Sequence, residues 1–149
     1  MSTSILFIQT GGTIDKDYPR EEQGWAFEIT DPAVERILKK LQPGFDYKLV
    51  SLSKKDSLEI TEEDRAELRA FIKDAAAERI VITHGTDTLL KTAESLKGLE
   101  GKTIAIVGAR LPEKFSDSDA ATQVGIAIGV AQIGNPGVYS VVKGIVTRM

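Results

Sequence analysis

Short, nearly unbroken apolar runs punctuate the chain, each closed by glycine, proline or a cluster of small polar residues, and between them the apolar positions shift to a helical period. Ile5 to Gln9 is the first such run, a strand covered on both faces that stops at the turn Thr10-Gly11-Gly12-Thr13. Residues 14–28 are polar and aperiodic, a mobile loop by composition, until Trp25-Ala26-Phe27-Glu28-Ile29 alternates like a hairpin arm. Thr30-Asp31-Pro32 supplies an N-cap and a proline for the first helical position. Val34, Ile37, Leu38 and Leu41 follow at helical spacing until Pro43-Gly44. Tyr47 to Leu52 predicts a second strand, and Thr61-Glu62-Glu63-Asp64 is a capping box that opens a helix with the stripe Leu68, Phe71, Ile72 and Ala75.

Ile80-Val81-Ile82 predicts strand three, closed by the tight turn His84-Gly85-Thr86-Asp87. Leu89, Leu90, Ala93 and Leu96 mark a helix ending at Gly98, and Ile104 to Val107 a fourth strand. A loop from Gly108 to Asp119, a helix from Ala121 to Ile133 weakened by Gly125 and Gly129, and a fifth strand from Val138 to Val142 complete the pattern. Strands alternating with helices of about a dozen residues argue for βαβ units with right-handed crossovers. The expected fold is therefore α/β: a three-layer, doubly wound, mostly parallel sheet of Rossmann-like or flavodoxin-like type. Such sheets bind ligands beyond the carboxyl ends of their strands, so candidate chemistry is sought there.

Composition narrows the field. The 149 residues make one domain, 1–149, the simplest expectation, and a chain of that length typically buries about 68–70% of its unfolded surface without disulfides or metal. The absence of cysteine removes thiol nucleophiles and thiolate metal sites and suits a reducing compartment, with the cytoplasm as the expected location. A net charge of −3 favours no phosphate backbone, so nucleic acid is not an expected partner. The start, Met1 to Ile8, has no basic region and too short an apolar run for a signal peptide or a membrane span. His84 is the single histidine, which excludes multi-histidine metal sites; no metal or cofactor is expected.

Three polar loops follow strands. In Thr10-Gly11-Gly12-Thr13 the paired glycines let the backbone turn sharply and leave N–H groups beside two hydroxyls, a geometry for an anion or oxyanion; the plain alternative is a turn whose threonines cap backbone groups. A dinucleotide loop fails, because there is no third glycine, Asp15 and Asp17 would repel phosphate, and Pro19 interrupts the following helix. Asp56-Ser57 after strand two reads by itself as a solvated turn. Thr83-His84-Gly85-Thr86-Asp87-Thr88 packs more hydroxyl, imidazole and carboxylate groups behind a buried strand than a helix cap requires, although the histidine alone could simply satisfy neighbouring backbone groups. If the loops converge, Thr13, Ser57, Thr86 and Asp87 share one pocket without a thiol. The nucleophile to expect is then a threonine, with Asp87, Tyr18 or a lysine as base or relay.

Thr10-Gly11-Gly12-Thr13-Ile14 and His84-Gly85-Thr86-Asp87-Thr88, about seventy residues apart, resemble the two signatures of the N-terminal domain of the bacterial-type L-asparaginase/glutaminase family. Asp56-Ser57 falls where that family has its substrate-binding serine, and Gly108-Ala109-Arg110 and Ser118-Asp119 are more weakly similar to two further segments. The resemblance covers about Ile5 to Val142. It implies a threonine acyl-enzyme formed by Thr13 on the side-chain amide of asparagine, with glutamine a second possibility. Thr86 would assist proton transfer or position water, Asp87 would hold the α-amino group, Ser57 would bind the α-carboxylate, and Tyr18 would belong to a lid that closes over the nucleophile. Gly12, Asp56 and Gly85 join the substrate-binding set, and N–H groups near Gly12 and Thr86 would stabilise the oxyanion.

The chain departs from the family in length, which is about half the usual, and the expectation is a short single-domain member without the family's second domain. No lysine matches the family's catalytic one: Lys143 falls on a different position of its strand, and Lys91, one turn past Asp87, reads as a solvated helix lysine. The leading expectation is a compact amidohydrolase assembled as a homodimer or higher homo-oligomer, with Val124, Ile126, Ile128 and Val130 of the glycine-containing helix as a packing face. The alternative is a binding module that keeps the amino-acid pocket for asparagine or aspartate without competent chemistry. A purely structural domain with decorative loops is the third reading.

Overall fold

The computed structural model describes residues 4–18 and 27–149. Strand β1 runs Ser4–Gly11 and carries buried residues on both faces, as its unbroken apolar run requires. A short antiparallel hairpin, β2 (Lys16–Asp17) and β3 (Glu28–Ile29), precedes helix α1 (Ala33–Leu41). Then come β4 (Asp46–Lys55), α2 (Glu62–Asp74), β5 (Arg79–Thr83), α3 (Leu89–Ser95), β6 (Thr103–Val107), α4 (Ala120–Ile133), β7 (Gly137–Val142) and β8 (Ile145–Arg148).

The main sheet has the order β4-β1-β5-β6-β7-β8, parallel except for β8, which pairs antiparallel with β7. Counting only its parallel strands in chain order, this is the doubly wound arrangement 2-1-3-4-5. The two faces of β1 divide the core. Ile5 and Phe7 pack with α1 and α4 through Val34, Leu38, Val124 and Ala127, whereas Leu6 and Ile8 pack with α2 and α3 through Leu68, Ile72, Leu89 and Ala93. The strand that follows β1 in the sheet lies on one side of it and the next lies on the other. The chain reverses its winding there, so the crevice expected for a ligand opens between the carboxyl ends of β1 and β5.

Several details differ from the sequence reading. Helix α1 begins one residue later than Pro32 as first helical residue implies: Pro32 occupies the cap, and the first N–H, that of Ala33, donates instead to the carboxylate of Asp15 at 2.7 Å. Thr30 turns its hydroxyl to the carbonyl of Asp15. Leu41 and Leu90, read as stripe residues, are exposed, Leu90 beside the buried Leu89 that takes the inward position. Val124 and Ile128 are buried in this chain's own core, and Ile126 and Val130 pack partly against it. They are therefore not a free face for a twin. The β8 strand had no counterpart in the sequence reading. The expected lid loop falls largely on residues 19–26, and Trp25 and Ala26 of the proposed hairpin arm with it, outside the described residues. Among the described residues no helix is long and apolar enough to cross a membrane.

Candidate functional site

The three polar loops meet at backbone distance. At the end of β1, Gly11 and Gly12 have φ of 126° and 97°, values that a side chain strongly disfavours. Space forbids one as well. A Cβ on Gly11 would lie 2.3 Å from the carbonyl oxygen of Lys55, and one on Gly12 would lie 2.5 Å from the backbone nitrogen of Gly85. A Cβ on Gly85 would stand 2.7 Å from Cβ and 2.9 Å from Oγ of Ser57. The glycines of the first and third loops are thus the points at which loop touches loop, and Ser57 of the second closes the set. The Thr88 hydroxyl donates to the Ser57 carbonyl at 2.7 Å, and the Gly12 N–H donates to the Lys55 carbonyl at 3.1 Å. The loop after β6 joins from the far side, where a Cβ on Gly108 would sit 2.7 Å from the Thr86 methyl.

Onto this frame the candidate side chains fall as follows. Thr13 opens a single 3₁₀ turn, Thr13–Asp15, and is half-buried. Ser57 is buried at the start of another, Ser57–Glu59. Asp56 precedes it, its N–H donating to the Glu59 carboxylate at 3.3 Å and its own carboxylate 3.1 Å from Lys16 Nζ, an ion pair that ties the second loop to the first. Thr86 and Asp87 are exposed, so the side of the crevice they form is open to solvent. Tyr18 is exposed as well and stands in an aromatic row, its ring 5.0 Å from Phe27, which is 6.2 Å from Phe115. The Gly12 N–H is engaged by the Lys55 carbonyl.

Two residues beside the site are buried: Asp15, whose work sequence reasoning did not assign, and His84, which satisfies a neighbouring backbone group as one sequence reading allowed. Asp15 is fully buried, accepting from Ala33 N at 2.7 Å and from Gln9 Nε2 at 3.0 Å. Burial pushes its carboxyl up to about 6, against the pull of those two donors and of Arg36 and Lys54. An acidic residue two positions beyond Thr13 was the available signal, but its partners are 6 and 18 residues away and no local pattern names them. His84 is also buried. Its Nδ1 lies 2.7 Å from the Gly85 carbonyl, which can only accept, so Nδ1 carries the proton and Nε2 accepts from the Thr92 hydroxyl at 2.8 Å. Thr92 in turn accepts from Arg65 Nε at 2.9 Å. Burial lowers the affinity of the imidazole for a second proton; the Gly85 bond opposes this and the Arg65 charge reinforces it. His84 is thus the neutral prop of the Gly85 turn.

The weaker segment pair has a structural explanation. The Asp119 carboxylate accepts from the N–H groups of Arg110 and Leu111 at 3.0 Å and from Gln123, which fastens the loop after β6 onto the start of α4. Burial raises its pKa, but those donors outweigh burial and hold it below the usual carboxylate value. Among the described residues no group of three or more metal-binding side chains is gathered.

Residues 4–148 match the family model of the asparaginase N-terminal domain. The chain belongs to the asparaginase family. It is 29% identical over 141 residues to an L-asparaginase of Thermococcus kodakarensis, an alignment that takes in 91% of this chain and 42% of the relative. The solved structure of the thermostable L-asparaginase from Thermococcus kodakarensis superposes with a TM-score of 0.82 at 26% identity, covering 97% of this chain and 45% of the other. A probable cytoplasmic L-asparaginase from Campylobacter jejuni shares the fold, with a TM-score of 0.72 at 21% identity over 95% of this chain and 45% of its own. The chain therefore spans less than half the length of these asparaginase relatives.

Proposed function

We propose that the chain is an asparaginase-type amidohydrolase that cleaves the side-chain amide of asparagine, with glutamine as a second candidate substrate. In this reading the Thr13 oxygen attacks the carboxamide carbon. A C–O bond forms, the C–N bond breaks as the amide nitrogen takes the proton given up by the threonine hydroxyl and leaves as ammonia, and water then hydrolyses the ester to release aspartate and restore the hydroxyl. Ser57 binds the α-carboxylate and Asp87 the α-amino group, with Gly12, Asp56 and Gly85 shaping the pocket. Thr86 assists proton transfer or positions water, and its N–H faces the developing oxyanion. Tyr18 closes over Thr13 as part of the lid. The observation that carries the reading is the packing of Gly12 against Gly85 and of Gly85 against Ser57, beyond the sheet edge where the winding reverses.

The test is ammonia release from L-asparagine by the purified chain beside Thr13→Ala. Activity in the first and a loss of at least about a hundredfold in the second is the expected result; equal rates refute it. A second reading, an amino-acid-binding module without turnover, draws support from the lysines around the loops. Lys16 is paired with Asp56, Lys55 with Asp64 and Lys91 with Glu62, so these three lysines are already engaged in ion pairs. Calorimetry with L-aspartate separates the two, since tight binding without ammonia release selects the module. The exposure of Thr86 and Asp87 supports a homo-oligomer in which a neighbour covers the crevice, which a monomer by sedimentation would contradict.

A further inference from the structure

A cavity of about 500 Å³ opens between helix α1, the loop after β6 and the first turn of α4, and none of Thr13, Ser57, Thr86 or Asp87 lines it. Its wall carries three cations, Arg36, Lys40 and Lys114, against one carboxylate, Glu113. That carboxylate is already held by Arg36 Nε at 2.7 Å. Lys114 Nζ lies 3.7 Å from the carboxylate of Asp17, which is off the wall, and Lys40 has no ion pair among the described residues. Asp117 and Asp119 flank Ser118 of the wall without lining it, and the Asp119 carboxylate is engaged by the N–H groups of Arg110 and Leu111. Positive charge is therefore in excess here, on a chain whose net charge is −3. Arg36 adds an unmet donor: among the described residues its Nη2 is the single buried side-chain nitrogen or oxygen with no hydrogen-bond partner. An enclosed guanidinium N–H without an acceptor is unfavourable, and anionic oxygens suit it best. The side chain as a whole is 30% exposed, which leaves it room to turn toward an oxygen entering the cavity. The excess of charge selects a doubly charged group over a single carboxylate, and a guanidinium with two ammonium groups matches a phosphoryl dianion. The space exceeds what that group fills and falls in the range of small-molecule sites, about 300–1,000 Å³, with Ile37 and Phe115 offering apolar surface for the remainder.

We propose that this cavity binds a small phosphomonoester, its phosphoryl group taken by Arg36, Lys40 and Lys114 and its organic part resting on Ile37 and Phe115. The site is independent of turnover and is tested without it. The ¹⁵N-labelled full chain is titrated at a fixed ionic strength of about 0.15 M with phenyl phosphate, inorganic phosphate and benzoate while amide resonances are followed. Phenyl phosphate is expected to give saturable shifts at Ile37, Lys114 and Phe115 with a Kd on the order of 0.1–1 mM. It is expected to bind at least about fivefold more tightly than inorganic phosphate, which lacks the organic part, and than benzoate, which lacks the second charge. Lys40→Gln removes a wall cation from an exposed position and is expected to weaken binding about fivefold. Lys39→Gln removes the same charge one residue away, at a position paired with Glu35 and off the wall, and is expected to change binding less than about twofold. No saturable shifts at the cavity, benzoate as tight as phenyl phosphate, inorganic phosphate as tight as the ester, or equal losses in the two lysine variants would each overturn the proposal.

Discussion

A carboxyl group two residues from the proposed nucleophile is enclosed so completely that it prefers its proton up to a pH of about 6, against 3.8 for the free group. Between those values folded Asp15 is protonated while unfolded Asp15 is not. The native state then binds more protons, and stability falls as pH rises through about 4 to 6, by on the order of 3 kcal/mol in total. Asp15→Asn keeps an acceptor for Ala33 N and removes the titration. Urea midpoints measured from pH 4 to 7 should therefore lose most of that slope in the variant, and an unaltered slope would show that the burial is not as described. Thr92 sits at the other buried junction. Thr92→Val strips partners from Arg65 Nε and His84 Nε2 at once and is expected to cost about 2–4 kcal/mol in urea unfolding, with Thr92→Ser restoring most of it. Local patterns disclosed neither residue's role. The Asp15 donors lie 6 and 18 positions away, and the Arg65–Thr92 bond spans 27, distances at which only the fold brings polar atoms together.

Elements were legible wherever local chemistry alone sufficed. The Thr61 capping box forms as read, the hydroxyl accepting from Asp64 N at 3.0 Å and the Asp64 carboxylate from Thr61 N at 2.9 Å, because all four groups belong to one turn of chain. The cap of α1 was misread because its acceptor comes from the loop after β1. The same contrast governs the loops. Their glycines were visible as turn residues, yet what makes Gly85 indispensable is the side chain of Ser57 beside it. Its own φ is one that alanine tolerates, so the effect of Gly85→Ala is purely steric. The added methyl would displace Ser57, and the variant is expected to lose at least about tenfold in aspartate affinity by calorimetry and 1–3 kcal/mol of stability. Wild-type affinity in Gly85→Ala would mean that Ser57 does not bind the amino acid.

At the scale of the whole molecule the sheet sets a gradient of protection. β1, β5 and β6 are paired on both sides and buried on both faces, while β8 is an exposed edge of four residues. Amide exchange at Leu6–Ile8, Ile80–Ile82 and Ile104–Ile106 is expected to be about a thousandfold slower than at Ile145–Thr147; comparable rates would deny the edge assignment. β8 escaped the sequence reading because four residues on a solvent-facing edge need no apolar alternation. The glycine-containing helix misled in the opposite sense, since apolar residues that looked available for a twin are needed to cover one face of the sheet. What the sequence determined by itself was the class of fold, the strands and helices long enough to show a period, and the two motif loops that place the chain in the asparaginase family, for each of these is written in neighbouring residues. Tertiary structure alone decided which side of β1 the later strands took, which glycines touch which loop, and where Asp15, Arg65 and Thr92 find their partners. Those contacts join residues remote along the chain, and their geometry exists only once the sheet has closed around its core.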